Sequence, residues 1–490
     1  MQSKRDQVQA YMFVMGRLNS GMLAAEPDAP ESPLARTTRG LVIGVVITLV
    51  ISAGAFVIGL IAPGGNDSWR SGDALIINKD TGARYLYLDG RLRPVRNFSS
   101  ARLIGGKDLT AVTVRTPSLE GTPVGAPVGI EGAPDGVPGG DRLERGAWRV
   151  CSVTDPGNGK KTRTVLVVGG DRSADRALGS REVALLKGPD GATFLMWRGS
   201  RLRLDTRSDA VKSLGYGSAA PRPVSGAFLD ALPTGPDLAP AAVPGRGERG
   251  PSLGGARTTV GQLFRVQVPG GSSSWYVLGR EGLRPLTETA AALLLGDPKT
   301  RALAYAGKSP QVRTLGSDVL GRHLAPGGGI APDGLPASPP RLTDVPSEMA
   351  LCAVVKPGGS AGTKVSSALV PTAVLTPLVQ RTRERVEAPC TPVDGTVVPP
   401  GHGVLVRVLG ASGGELGNTT YLVAENAIKY RVRGNEALTA LGYTPKDAVA
   451  LPSPLTAMLP TGPDLSTEAA EGVVPSRITA AACVTSATRP

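Results

Sequence analysis

Histidine is nearly absent from this sequence, with only His323 and His402 in 490 residues. Both sit beside Gly- or Pro-containing turns. A serine or cysteine nucleophile normally depends on a positioned histidine base, so hydrolytic triads are excluded as a guide to function. The zinc-protease pattern HExxH and the nucleophile elbow GxSxG are both missing. The four cysteines, Cys151, Cys352, Cys390 and Cys483, include no CxxC pair, which argues against a zinc site. The nearest approach to a phosphate-binding loop is Gly307-Lys308-Ser309. Ala302 stands where such a loop needs its first glycine, and Pro310 follows at once where a helix should open. Gly159-Lys160 lacks the Ser or Thr that would hold magnesium. The reading is therefore no catalytic residue, no cofactor and no metal. Acidic residues are also in the minority, giving a net charge of +13, but the excess is spread along the chain. With no basic cluster, nucleic acid is not expected as a partner.

Residues 41–62, LVIGVVITLVISAGAFVIGLIA, form an uncharged run of 22 residues. At about 1.5 Å per residue, such a helix crosses the roughly 30 Å hydrocarbon layer. A buried helix of a soluble protein would carry a polar stripe, and this one has none. A signal peptide does not fit, because some forty residues precede the run and its apolar core is too long. Lys4, Arg5, Arg17, Arg36 and Arg39 precede it, whereas the first charge after it is Asp67. Excess basic charge marks the cytoplasmic side, so residues 1–39 are expected inside and residues from 63 onward outside. Outside, cysteines persist as disulfides, and the positive charge would face anionic lipid, wall polymers or acidic neighbours. Before the span, Val8, Tyr11, Met12, Met15, Leu18 and Met22 recur every three to four residues, which predicts an amphipathic helix suited to docking a partner.

The outer region repeats itself. Residues 192–238 align without gaps to 419–465 at a constant offset of 227. Phe194 meets Tyr421, Leu214-Gly215-Tyr216 meets Leu441-Gly442-Tyr443, and both segments end in LPTGPDL. Residues 84–106 align with 275–297 at an offset of 191, matching Tyr85 with Tyr276 and Leu92-Arg93-Pro94 with Leu283-Arg284-Pro285. The chain therefore reads as an A–B–A′–B′ duplication. The expected class is α+β: one transmembrane helix, then an elongated domain with a central β-rich body and four small β-β-α modules about a pseudo-twofold axis. The expected boundaries are a cytoplasmic helix and linker over 1–39 and the span over 40–62. Linker and module 1 follow over 63–110, the first half of the body over 111–182 and module 2 over 183–250. A body strand over 257–272 and module 3 over 273–330 come next. The second half of the body takes 341–418, module 4 takes 419–470 and a tail takes 471–490. The body is expected from the Val/Thr-rich runs 108–117, 161–170, 263–268, 349–357 and 402–410. With 65 glycines and 43 prolines, the stretches 116–141, 239–256 and 325–340 read as loops.

Cys151 in AWRVCSV and Cys352 in EMALCAV occupy equivalent places in the two halves, at an offset of 201. Equivalent residues approach one another near a twofold axis, which favours a Cys151–Cys352 bridge. A Cys390–Cys483 bridge would then pin the tail. Four cysteines allow three pairings, and the sequence leaves them open.

The opening SKRDQVQAYMFVMGRL resembles the N-terminal signature of EccB, the B component of the type VII (ESX) secretion membrane complex of actinobacteria. The order of short helix, single span, paired repeats and half-joining cysteine is similar too, over essentially the whole chain. The resemblance implies a structural subunit on the extracytoplasmic side of the secretion channel. It also implies repeats similar to the wall-binding modules of a phage lysin. The implied partners are the EccC ATPase, EccD, EccE, the mycosin protease and further copies of the chain. The sequence departs from the simplest family pattern in its second cysteine pair and its long Gly/Pro loops. Two other classes compete: a membrane-anchored cell-wall-binding protein, and an extracytoplasmic nucleotide hydrolase, which the missing phosphate loop disfavours.

Overall fold

The computed structural model describes residues 3–25, 33–61, 68–72, 74–155, 158–170, 172–267, 273–358, 363–376, 378–379, 384–410 and 415–483. The chain divides into two compact units, one of residues 1–92 with 110–125 and one of residues 93–109 with 126–490.

In the first unit, α1 (Lys4–Ala24) begins at a capping box. Ser3 accepts from the Asp6 N–H, and the Asp6 carboxylate accepts from the Ser3 N–H. Ala25, with φ +54°, ends it. Helix α2 (Pro33–Ile61) opens on proline, which tolerates the first helical turn. Its segment Thr37–Ile58 has mean hydropathy 2.8, and none of it is covered by other parts of the chain. The hydroxyl of Thr48 donates to the Gly44 carbonyl at 2.8 Å, so the polar group is satisfied within the helix.

Beyond the span lie β1 (Ala74–Asn78), β2 (Arg84–Leu88), β3 (Arg91–Pro94) and β4 (Thr110–Val114), arranged β3-β2-β1-β4. β1 runs antiparallel to β2 and parallel to β4. One face buries Trp69, Ile76, Leu92 and Val114, with Trp69 meeting Tyr87 edge-on at 5.4 Å between ring centroids. Helix α3 (Phe98–Gly105) lies between β3 and β4 in sequence and belongs to the second unit.

In the second unit, β5 (Trp148–Asp155), β6 (Asn158–Val167) and β7 (Arg176–Ala177) precede β8 (Glu182–Lys187), β9 (Thr193–Trp197), β10 (Ser200–Arg203), α4 (Ala210–Ser213), β11 (Arg222–Pro223) and α5 (Gly226–Asp230). The next group is β12 (Leu263–Gln267), β13 (Ser273–Gly279), β14 (Gly282–Leu286), α6 (Glu288–Gly296), α7 (Pro298–Ala304), β15 (Arg313–Leu315) and α8 (Ser317–His323). Then come β16 (Arg341–Leu342), β17 (Met349–Lys356), β18 (Lys364–Pro371) and β19 (Gly395–Val397). The last group is β20 (Val404–Leu409), β21 (Glu415–Val423), β22 (Lys429–Val432), α9 (Gly434–Ala440), β23 (Val449–Pro452), α10 (Ser453–Thr456) and α11 (Thr467–Glu471).

Three sheets here repeat the order of the first: β10-β9-β8-β11, β14-β13-β12-β15 and β22-β21-β20-β23. In each, the last strand returns parallel to the first. The expected β-β-α unit is therefore corrected to β-β-β-α-β. The runs 108–117, 263–268 and 402–410, assigned from sequence to the central body, are β4, β12 and β20 of the small sheets. In particular, among the described residues of 257–272, the strand Leu263–Gln267 belongs to a small sheet and not to the central one. The physical reason is pairing. Each first strand has both edges occupied, one by the aromatic strand and one by the parallel return, and the helix spans the gap between them. The runs 161–170 and 349–357 do enter the central sheet, as β6 and β17, in the order β19-β6-β5-β17-β18-β7.

The LPTGPDL segments are straps along the third strand of their sheets. Arg201 N–H donates to Pro233 O, and Gly235 N–H to Arg201 O. Lys429 N–H donates to Pro460 O, and Gly462 N–H to Lys429 O. Residues 122–128 strap β3 in the same way.

The β9–β10 turn meets the central sheet at Gly199. Gly199 has φ +79°, its N–H donates to Ser367 Oγ at 3.1 Å, and a Cβ there would collide with the Val365 carbonyl. Backbone cannot yield as a flexible side chain would. Gly199→Ala is expected to lower stability by about 2–4 kcal/mol, measured as the shift in urea midpoint at constant slope.

Candidate functional site

The seam between the two β-hairpins β5–β6 and β17–β18 is the centre of the second unit. β5 and β17 run antiparallel with Cys151 directly opposite Cys352, and their pairing also sets Val150 against Ala353 and Arg149 against Val354. The two sulfurs stand 2.04 Å apart with Cα atoms 4.0 Å apart, within a cluster of Val153, Val165, Val167, Val354 and Val370. The opposite face of the sheet buries Trp148, Val150, Leu166, Leu351 and Val355 against β20, α5 and α10. Alternation along each strand thus fills both faces, as a central sheet requires.

Arg149, 2% exposed, bonds Asp175 at 3.0 Å and the Gly169 carbonyl at 3.0 Å. Arg172 meets the other Asp175 oxygen at 3.0 Å. Nearby, His402 Nδ1 lies 2.8 Å from Glu144, whose other oxygen accepts from Gly170 N–H. His402 thus joins the loop before β20 to the loop before β5. The carboxylate is its close polar partner, which suits a structural contact. His323 is the last residue of α8, far along the chain in the third small sheet's group.

Within the second unit, helices from opposite halves pack together. Helix α3 packs on α9 and α11, and Leu103 joins Leu438, Leu441 and Ala470 in one cluster. Helix α4 packs on α6, and Leu293 joins Leu214 and Tyr216. The sequence-equivalent tyrosines do equivalent work: Tyr216 OH donates to Pro340 O and Tyr443 OH to Pro138 O, each at 2.6 Å. Burial pushes the Tyr216 hydroxyl up to about 12 and raises that of Tyr443 further. The shared Leu-Gly-Tyr is the signal in sequence for this contact, though not for its partner.

Lys429 breaks the correspondence, because its counterpart at the 227 offset is Leu202. It is 7% exposed, its Nζ donates to Thr456 O, and it lies over the Tyr421 ring. Burial pushes its pKa down to about 8. The unfolded chain, with an ordinary value near 10.5, binds the extra proton between these limits, so stability rises as pH climbs from about 8 to 10.5. Lys429→Met is expected to raise stability at pH 7 by about 1–2 kcal/mol, after allowing for the lost hydrogen bond, and the gain should fade above pH 10.5. Chemical unfolding at pH 7 and pH 11 measures it.

Cys390 and Cys483 stand 1.98 Å apart, sulfur to sulfur, on the surface. Around them the tail is held lightly: Asp464 N–H donates to Arg477 O, and Thr479 Oγ1 bonds Asp464 at 2.7 Å.

Gly307-Lys308-Ser309 follows the C-terminus of α7 and opens no helix. Carbonyls and the negative end of the helix dipole point toward such a position, which disfavours phosphate. Lys160 lies outside the described side chains. Among the described residues, no three His, Cys, Asp or Glu side chains form a metal-holding group.

On α1, Val8, Tyr11, Met12, Met15, Leu18 and Met22 are all exposed, as are Phe13 and Val14 outside that stripe. On α2, a Cβ added at Gly44 or Gly54 would meet nothing within 4 Å.

A fully exposed apolar span joined to a β-rich body of paired modules defines a single-pass membrane protein. Residues 1–474 match the family described as type VII secretion system ESX-1, transport TM domain B, and the chain belongs to this EccB family. It is 29% identical over 485 residues to the ESX-2 secretion system ATPase EccB2 of Mycobacterium tuberculosis H37Rv, covering 96% of this chain and 94% of that one. Its fold is similar to a chain of an intact ESX-5 inner membrane complex, at TM-score 0.63 and 24% identity, covering 99% of each. It is likewise similar to the EccB3 dimer from the ESX-3 core complex, at TM-score 0.63 and 24% identity, over 81% of this chain and 99% of that one.

Proposed function

We propose that this chain is a non-catalytic structural subunit of a type VII secretion membrane complex, with residues 1–39 in the cytoplasm and residues from 63 onward outside. The observation that carries this reading is the span. An apolar helix with no cover from its own chain anchors the body and leaves its small residues open to neighbouring helices. The body would be a duplication about a pseudo-twofold axis through Cys151 and Cys352, with each module paired to one of the opposite half. Disulfides Cys151–Cys352 and Cys390–Cys483 would lock the seam and the tail, which requires the oxidising side of the membrane. The proposed partners are the EccC ATPase, EccD, EccE, the mycosin protease and other copies of this chain. Exposed α1 would dock on the cytoplasmic side.

Relatives carry ATPase in their names. Against a transfer of that activity stands the position of Lys308 behind a helix C-terminus. Deleting the gene should abolish ESX-type export, and a Lys308→Ala copy should restore it fully. Failure of Lys308→Ala to restore export, with the protein present at normal level, would overturn the non-catalytic reading. A thiol-reactive, membrane-impermeant label should reach a cysteine placed at residue 124 and not one placed at residue 12.

A further inference from the structure

The third small sheet differs from the first by an insertion. In the first, α3 ends at Gly105 and β4 starts at Thr110. In the third, α6 ends at Gly296 and β15 starts only at Arg313. The added residues form α7 and a turn through Tyr305, and they fold back on the start of β12. Tyr305 OH accepts from Leu263 N–H at 2.8 Å, and the Ala304 carbonyl accepts from Gln262 Nε2 at 3.1 Å. Beneath the insertion lies a hollow of about 150 Å³ whose walls include Arg257, Gln262, Phe264, Tyr305 and Arg313.

The polar side chains of this hollow are two arginines, Arg257 and Arg313, the Tyr305 hydroxyl and the amides of Gln262 and Gln311, so donors outnumber acceptors. Arg313 stacks over Phe264 at 5.3 Å and lines the hollow. The Tyr305 oxygen is already an acceptor, which leaves its O–H free to donate. Gln262 spends its carbonyl on Thr259 N–H and keeps a second amide hydrogen. Arg257 is exposed at the mouth. Among the described residues, no carboxylate lines the walls. A planar anion is the group that matches an arginine fork.

We infer that this hollow is a binding site for a small carboxylate, held by Arg313 and Arg257 with Tyr305 and Gln262 as neutral donors. The carboxylate pairs with the Arg313 guanidinium, and its substituent lies against Phe264 and Leu263. A tetrahedral oxyanion fits the flat fork less well, so phosphate ranks below it. The carboxylate belongs either to a free acid or to the end of a peptide, and both present the same group.

The test uses the full-length chain in detergent, titrated by calorimetry and thermal unfolding with acetate, N-acetyl-alanine, N-acetyl-alaninamide and inorganic phosphate. Binding of acetate or N-acetyl-alanine, but not of the amide, supports the site. A preference for N-acetyl-alanine over acetate points to a peptide end, and equal binding points to a free acid. Arg257→Gln, at the exposed mouth, should weaken binding at least tenfold without changing the melting temperature of the empty protein. Arg313→Gln should abolish binding. Tighter binding of phosphate than of either carboxylate, binding undiminished in Arg257→Gln, or no binding by any probe would overturn it.

Discussion

Replacing Cys151 and Cys352 together with alanine is expected to cost the folded body about 3–5 kcal/mol, seen as a large fall in its denaturation midpoint. The two cysteines are 201 residues apart, so the proposed bond closes a very long loop in the unfolded chain. Loop closure stabilises more as the loop lengthens, though only logarithmically. Both side chains are fully buried, and the smaller alanines leave unfilled space at the seam, adding to the loss. The pair joins β5 to β17, the strands through which the two hairpins meet, so its removal should loosen both halves together. Replacing Cys390 and Cys483 should act differently. That pair is exposed, and the residues leading to Cys483 are largely exposed as well. Limited proteolysis should then clip the chain after about residue 472 while the body stays folded. An unchanged midpoint in the Cys151→Ala/Cys352→Ala protein, measured against unreduced parent, would contradict the role assigned to the seam.

Gly54→Leu with Ala55→Leu is expected to leave insertion and the folded body intact while reducing recovery of the assembled complex tenfold or more. Within one chain a Cβ added at Gly54 meets nothing within 4 Å, and Ala55 is exposed. Leucine is also at home in hydrocarbon, so lipid offers no objection. The substitutions can act only on a helix from another subunit, where small residues permit close backbone approach. Gly59 belongs to the same set in sequence, but its side-chain surroundings lie outside the described residues. The proper control is added bulk at a position already bulky, Val50→Phe. Normal recovery of the complex from the Gly54/Ala55 protein would remove the packing role and leave the span as an anchor alone.

Much of the architecture was legible because its signals are local. An uncharged run longer than the bilayer core has one physical use, and Thr48 needed no outside partner to join it. The two LPTGPDL segments declared a repeat because the same backbone route, Pro and Gly on the third strand and Leu returning to the core, demands the same residues twice. What stayed hidden is non-local. β4, β12 and β20 read as strands from their Val and Leu content, but composition does not say which edge a strand occupies. That is decided by the parallel return after each helix. The cross-half pairing of α3 with α9 and of α4 with α6 was likewise invisible, because apolar helix faces carry no address. Tyr216 and Tyr443 offered the only hint, as large residues with a hydroxyl that needs an acceptor when buried. The hollow under α7 was unreadable for a related reason, since Arg257 and Arg313 line one space only once β15 has paired with β12.

The central claim is that this chain works as a part of a larger membrane assembly, and one measurement addresses it directly. The chain, tagged at its C-terminus and expressed at native level, is purified in mild detergent and sized with its bound proteins identified by mass spectrometry. Recovery in a complex of several copies together with a membrane-bound ATPase subunit is the result expected. Recovery solely as a monomer, with no ATPase partner, would contradict it.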